Sequence, residues 1–260
     1  MEGAEIGSLM LCICAAGVLL YSRASPVHSL GLSREASAAL MGTAVAFATY
    51  FIIRSPFGRR SGAHLNPAVT LSFLWLGRIP RWDATGYMAS QFIGGVAGVL
   101  VARLMFGTRL SETAVQYLVT EPGVYGERIA FLAELLLSGL LMAIVLFATN
   151  HRFLARFSPL FVALLTIIYY VACPSISGFS VNPARSFASA LFAWIWQGIW
   201  IYFAAPCLGM LLAAGIYVGV MGRERVYCAK VFHDLRSVCP FPCGFDRLAS
   251  GSSAAHRNVG

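Results

Sequence analysis

The tripeptide Asn-Pro-Ala occurs twice, and each copy opens a short apolar stretch. The two stretches cover residues 68–76 and 187–195. Asn favours the N-cap of a helix and Pro favours its first position, so each copy predicts a helix that starts at its proline. At a rise of about 1.5 Å per residue, each stretch reaches only halfway through a ~30 Å apolar bilayer core. The six residues concerned are Asn66, Pro67, Ala68, Asn182, Pro183 and Ala184.

Two half-helices that enter from opposite faces would meet with their N-termini together, where the positive ends of both helix dipoles point. If the Asn oxygens cap the helices, the Asn NH₂ groups donate into the space between. A water molecule there must offer its oxygen to both, which interrupts a proton-conducting file, and the positive ends repel cations. One Asn-Pro-Ala is weak evidence, because Asn-Pro is a common turn. Two copies in matching places predict a pore for neutral molecules.

Arg185 follows the second Asn-Pro-Ala directly. An arginine is unfavourable beside a helix N-terminus and expensive in lipid. A water-filled pore is its most economical place, since the guanidinium can replace part of a solute's hydration shell and exclude cations. The alternative is an anchor at the outer headgroups.

The elements that must position these residues are apolar. The chain is 58% hydrophobic and only 12% charged, whereas about a quarter of residues are charged in soluble domains. The first apolar run is preceded by Glu2 and Glu5 and by no base, unlike a signal peptide, so we expect a retained span. Six runs long enough to span begin at Ile6, Ala36, Tyr87, Ile129, Leu160 and Ile199.

Each half of the chain reads as helix, helix, half-helix, helix. Three spans per half is an odd number, so the halves must insert with opposite topology. The sequence therefore predicts an all-α membrane protein with six transmembrane helices and two re-entrant half-helices, an inverted repeat of two three-helix halves around a central pore. We expect a channel domain at 1–221, with repeats at about 4–106 and 127–221, and a tail at 222–260.

The formal net charge of +8 comes mainly from arginines in alternate loops and in the tail. This positive-inside bias predicts that both termini lie in the cytosol, in a plasma (inner) membrane. Basic charge then sets orientation in membrane lipid, and no nucleic-acid partner is expected.

The segments around both tripeptides, 61–70 and 182–186, resemble the aquaporin and glycerol-facilitator family. So do two Ala-Glu openings, at 4–5 and 133–134, and the sixth span at 200–206. The resemblance extends from Glu5 to about Val220. It implies a homotetramer with one pore per subunit and Arg185 as the filter arginine. An ion-coupled transporter or a membrane enzyme is not expected, because the sequence shows no nucleotide motif, paired intramembrane acids or nucleophile constellation.

Other filter positions follow from the same resemblance. Phe179 matches a position where glycerol facilitators carry Phe, and Met41 matches the second-span position. The fifth-span position falls on Tyr169 or Tyr170, and the spacing leaves both open. Ser186 stands where glycerol channels typically have Asp. We expect water as the permeant, with glycerol, urea or metalloid hydroxides as the alternative and a non-conducting membrane scaffold as another class.

Four further residues predict structural support. Glu5 and Glu134 occupy equivalent places in the two halves, so we expect each to accept hydrogen bonds from loop backbone N–H groups. His64 is expected to support the pore side, with its carbonyl facing the lumen, and Gln91 to hydrogen-bond loop backbone.

The tail lacks an apolar run and is expected to be flexible. Its Cys228, His233, Cys239 and Cys243 follow a Cys-x₄-His-x₅-Cys-x₃-Cys spacing. These ligand types suit zinc or another soft metal, although the spacing matches no standard finger closely. Unpaired thiols or palmitoylated cysteines are the alternatives. No other cofactor is expected.

Overall fold

The computed structural model describes residues 1–233 and 239–250, with side chains described up to residue 248. In this part of the chain all regular structure is helical. The α-helices are α1 Glu2–Tyr21, α2 Arg34–Arg54, α3 Pro56–Ser61, α4 Pro67–Trp75, α5 Arg81–Phe106, α6 Gly126–Thr149, α7 Ser158–Ala172, α8 Pro174–Ser177, α9 Pro183–Ala193, α10 Ile199–Met221 and α11 Phe245–Ser250.

Among the described residues, six helices are long and apolar enough to cross a bilayer: α1, α2, α5, α6, α7 with the turn before it, and α10. They correspond to the six predicted runs. We call the side where α1 begins and α10 ends the terminal side, and the other the opposite side. The predicted all-α membrane fold is confirmed.

The two Asn-Pro-Ala segments open helices that are too short to cross. Helix α4 has 9 residues and α9 has 11, which at about 1.5 Å per residue amounts to roughly half a bilayer core each. Each half-helix packs against the third span of the other half, α4 against α10 and α9 against α5. The half-helices therefore link the two halves at the centre.

Matching pairs of spans pack within each half, α1 against α5 and α6 against α10, while α2 packs against α7 between halves. The α1–α5 contact requires glycine. A Cβ on Gly98 would lie 2.2 Å from the Gly7 carbonyl oxygen, and one on Gly94 would lie 2.0 Å from that of Gly3. This approach brings the beginning of α1 beneath the first re-entrant loop.

The expectation of a flexible tail is wrong for its first part. Residues 226–233, here called the tail segment, are largely buried against the terminal side. The backbone N–H of Val231 donates to the Gly62 carbonyl at 2.8 Å, and that of Gly244 donates to the Tyr227 carbonyl at 2.8 Å. Apolar side chains such as Phe241 drive this burial, in a pattern too short to register as a spanning run. The Ser- and Ala-rich end at 251–260 lies outside the described residues.

Candidate functional site

Both asparagines cap the half-helix that follows them. Asn66 Oδ1 accepts from the Ala68 N–H at 2.9 Å, and Asn182 Oδ1 accepts from the N–H groups of Ala184 and Arg185 at 3.1 and 3.4 Å. Because each side-chain oxygen is held by its own helix, each NH₂ group must point away from it. The prolines follow at the first helical position, where no backbone N–H is needed.

The NH₂ groups connect the two loops reciprocally. Asn66 Nδ2 donates to the Val181 carbonyl at 2.7 Å, and Asn182 Nδ2 donates to the Leu65 carbonyl at 2.8 Å. An amide NH₂ has two hydrogens, so one on each asparagine joins the loops and one remains to donate to a solute. The sequence alone does not suggest this cross-link between the halves.

The loops before the asparagines carry the same unusual backbone. Ala63, Leu65, Phe179 and Val181 all have left-handed φ, between 48° and 54°. This conformation costs a non-glycine residue roughly 1–2 kcal/mol. It persists because the surrounding hydrogen bonds over-determine it, which is typical of functional sites.

The first loop is supported by two carboxylates. Glu2 accepts from the His64 and Leu65 N–H groups at 2.9 and 2.8 Å. Glu5, which the sequence predicts for this task, instead accepts from Ser61 Oγ at 2.7 Å. The prediction for Glu5 is wrong because Glu2, one turn earlier on α1, lies beneath the loop amides.

The second loop uses one carboxylate for both tasks. Glu134 accepts from Ser177 Oγ at 2.7 Å and from the N–H groups of Ser180 and Val181 at 2.9 and 2.6 Å. Ser177 and Ser61 each lie five residues before their asparagine. The two halves therefore share the hydrogen-bond pattern and differ in how many acids supply it.

Gln91 also differs from its prediction. Its Nε2 donates to Glu2 Oε2 at 2.7 Å and to Thr70 Oγ1 at 3.1 Å. It therefore supports the loop through the side chain of Glu2 rather than by contacting backbone.

His64 links the first loop to the tail segment. Its buried ring contacts Thr70 Oγ1 through Nδ1 at 3.0 Å and the Ala229 carbonyl through Nε2 at 2.6 Å. A carbonyl only accepts, so Nε2 carries the proton. This link between the loop and residue 229 has no sequence signal.

Two cavities lie along the axis between the halves. One of about 720 Å³ opens on the opposite side, and one of about 110 Å³ contains both asparagines and extends to the terminal side. Tyr170 and Arg185 line both cavities. They therefore mark the boundary between the outer and the inner cavity.

The other predicted filter residues lie around this boundary. Met41 lines the outer cavity, and Phe179 lines the inner one and packs edge-on against Tyr170, with ring centroids 4.9 Å apart. Tyr169 points to α6, where its hydroxyl donates to the Leu137 carbonyl at 2.8 Å. Of the two tyrosines left open by the sequence, Tyr170 is thus the one at the boundary.

Arg185 is buried, and its Nη1 has no hydrogen-bond partner among the described residues. Buried polar groups are normally paired. Arg185 therefore keeps one unused hydrogen-bond donor at the boundary between the two cavities.

The tail brings together the four predicted metal ligands. One ligand atom from each of Cys228, His233, Cys239 and Cys243 lies within 4.8 Å of all the others. Sequence reasoning missed a neighbour, Val231, which lines the inner cavity from the tail segment.

The fold and this geometry define a class: an integral membrane protein in which two inverted halves bring paired half-helices together around an axial cavity. The family follows from comparison with known proteins. A family model described as Major intrinsic protein matches residues 4–217. The chain belongs to this family of membrane channels.

Three relatives give the degree of similarity. Aquaporin Z of Photorhabdus laumondii is 27% identical over 222 residues, which cover 82% of this chain and 93% of that protein. Aquaporin NIP1-1 of Arabidopsis thaliana is 31% identical over 180 residues, 68% of this chain and 61% of the relative, so the match spans about three fifths of its length. The X-ray structure of the aquaglyceroporin from Plasmodium falciparum has a TM-score of 0.69 at 20% identity, covering 86% of this chain and 96% of that one. At that identity the match shows the fold alone.

Proposed function

We propose that this protein is a passive channel that conducts water through a pore within each subunit. The observation that carries the proposal is the reciprocal pairing of Asn66 and Asn182 with the opposite loops, at the wall of an inner cavity whose outer end is formed by Arg185. A solute entering from the outer cavity would meet the guanidinium group of Arg185 first and the asparagine donors of the inner cavity next, which is the order that a selective pore requires.

The arrangement favours neutral solutes. The N-termini of α4 and α9 bring two positive dipole ends to the asparagines, and Arg185 adds a full charge at the boundary. A cation must pass both dipole ends and the arginine charge. The described residues that line the inner cavity offer it no anionic ligand that would compensate for the loss of its hydration shell. A water molecule can accept from both remaining Asn hydrogens, and in that orientation it cannot relay a proton along the file.

Water fits the inner cavity best. Its volume of about 110 Å³ holds several water molecules, since one buried water needs only about 10–15 Å³. The walls facing the asparagines are mainly apolar, with residues such as Val45 and Val145. A smooth apolar wall opposite a few donors lets water move in single file without binding tightly.

Glycerol, urea or a metalloid hydroxide is the alternative permeant. Tyr170 and Phe179 form an edge-to-face aromatic pair at the boundary, a surface that suits the carbon skeleton of a polyol. The hydroxyl of Ser186, where glycerol facilitators carry Asp, is paired with Ser180 and Thr120. It is thus engaged within the protein, which favours water.

Assembly and orientation belong to the same proposal. The proposed unit is a homotetramer in a plasma (inner) membrane, with the terminal side in the cytosol. Arg59, Arg78 and Arg223 all lie at the terminal side, near the first loop and the end of α10. This placement supports the positive-inside orientation.

Stopped-flow light scattering on proteoliposomes tests the proposal against a non-conducting scaffold with the same fold. We expect water permeability above that of protein-free liposomes, no proton leak, and slower or absent glycerol and urea flux. A glycerol or urea flux that dominates would assign the alternative permeant. If the permeability to every neutral solute equals that of protein-free liposomes, the channel proposal is refuted and the non-conducting scaffold remains.

A further inference from the structure

The four ligand-type side chains of the tail converge at the terminal side. Cys228 Sγ lies 3.4 Å from Cys239 Sγ, and His233 Nε2 lies 3.1 Å from Cys243 Sγ. All four ligand atoms are within 4.8 Å of one another. At metal–ligand distances of about 2.0–2.3 Å, a tetrahedral ion has ligand atoms under ~4 Å apart, so small adjustments would enclose one ion. Three thiolates and one imidazole form a known structural zinc set.

The surroundings also suit a metal. Cys228 is buried, and His233 presents Nε2 to the cluster. The imidazole ring stacks on Phe245 with centroids 4.1 Å apart, which holds it in place. Lys230 is buried and lines the same small pocket as Cys228 and His233. Three thiolates with one divalent ion carry a net negative charge, which this ammonium group offsets.

The first two ligands bracket the part of the tail that contacts the pore. Between Cys228 and His233, the Ala229 carbonyl accepts from His64 Nε2 and the Val231 N–H donates to the Gly62 carbonyl. The Val231 side chain lines the inner cavity. These contacts, together with those of Lys230 with the Arg59 carbonyl and of Phe232 with the Arg54 guanidinium, hold the tail segment at the terminal-side end of the cavity.

We propose that Cys228, His233, Cys239 and Cys243 bind zinc or a similarly soft divalent ion, which fastens the tail segment across the terminal-side end of the pore. The site itself does not depend on the proposed function, whereas its effect on permeation does. A metal that binds only the fastened arrangement lowers the population of the released one about 100-fold when its free concentration is about 100 times Kd. Metal loading therefore narrows the pore, and removal of the metal releases it.

The site is tested by metal content. The full-length chain, purified without chelators in detergent, is expected to contain about one zinc per chain by elemental mass spectrometry. Cobalt substitution should yield the visible bands of tetrahedral thiolate ligation. Cys239→Ser and Cys243→Ser should lose the ion, while the matched control Cys12→Ser, a cysteine of α1 outside the cluster, should retain it.

If a cysteine variant fails to fold, the metal site can still be tested by removing the metal from the wild-type protein with a chelator. Removing zinc should expose three additional titratable thiols. A metal content near zero, equal metal in Cys239→Ser and Cys12→Ser, or a Cys228–Cys239 disulfide in the freshly purified protein would each overturn the site.

Permeation is tested separately on proteoliposomes. Stripped protein and Cys239→Ser should conduct water several-fold faster than zinc-loaded wild type, and chelator should not change Cys239→Ser further. Equal rates in loaded and stripped protein would overturn the effect on the pore. If no form conducts, the proposed function fails, while the metal count still decides the site.

Discussion

The acids that support the two loops offer a sharp test of the structure. By sequence position, Glu5 in the first half is equivalent to Glu134 in the second. By hydrogen bonding, the role of Glu134 is divided in the first half between Glu2 and Glu5. Replacing each acid by glutamine preserves its shape and removes the charge and one of two accepting oxygens. The three variants Glu2→Gln, Glu5→Gln and Glu134→Gln should therefore differ in a predictable order.

The magnitudes follow from the number of donors at each oxygen. Glu134 accepts two hydrogen bonds at Oε1 and one at Oε2, and Glu2 accepts one at Oε1 and two at Oε2. A glutamine must face at least one of these donors with its NH₂ group, which leaves a buried donor without an acceptor at a cost of about 1–3 kcal/mol. Glu5 has a single donor, Ser61 Oγ, which the amide oxygen of glutamine can still serve, so its variant should cost less than about 1 kcal/mol.

Unfolding of the three variants in mixed micelles with increasing SDS measures these costs, and water permeability reports whether the loops keep their shape. We expect Glu2→Gln and Glu134→Gln to be destabilised similarly and Glu5→Gln to resemble wild type. A Glu5→Gln variant as unstable as Glu134→Gln, with Glu2→Gln near wild type, would refute the reasoning and restore the pairing read from the sequence.

Three further predictions concern the filter and the packing of the spans. Arg185→Val should widen solute acceptance, and a barrier lower by ~1.4 kcal/mol would raise glycerol flux about tenfold; an unchanged solute profile would show that the residue is not at the constriction. Tyr170→Ala should change the ratio of glycerol permeability to water permeability. Tyr169→Phe should keep that ratio and cost about 1 kcal/mol of stability through one lost hydrogen bond. Flux and unfolding assays measure these effects, and a changed permeability ratio in Tyr169→Phe with an unchanged one in Tyr170→Ala would contradict the assignment of Tyr170 to the boundary. Gly98→Val should prevent folding or cost more than ~4 kcal/mol, because its Cβ would meet a carbonyl oxygen at 2.2 Å, while the control Gly215→Val, with open space around it, should stay within about 0.5 kcal/mol. Equal yield and stability of these two glycine variants would argue against the close α1–α5 contact.

Local signals account for what the sequence predicted well. An Asn followed by Pro specifies a helix start through a cap and a fixed φ, and these are properties of neighbouring residues. Spans depend on about 20 consecutive apolar residues, which can be counted. The half-helices at Pro67 and Pro183 and all six spans were therefore readable without a structure.

Rotation and long-range packing account for what the sequence left open. Tyr169 and Tyr170 differ by about 100° around the α7 axis, and only the packing of α7 against α2 and α6 decides which one lines the cavities. Likewise, Glu2 and Glu5 are both acids in the first turns of α1, and only the placement of the first loop against this helix decides which of them accepts from the loop amides.

The sequence by itself determined that two capped half-helices and an arginine lie among six apolar spans, because caps and hydropathy act over short stretches of chain. The tertiary structure decided how those parts meet: the cross-link from each asparagine to the opposite loop, Tyr170 at the boundary of the cavities, and the tail segment against the first loop. The cross-link and the tail contact join residues more than a hundred positions apart, as with Asn66 and Val181 or His64 and Ala229. Their partners are selected by the packing of whole helices rather than by any neighbouring residue.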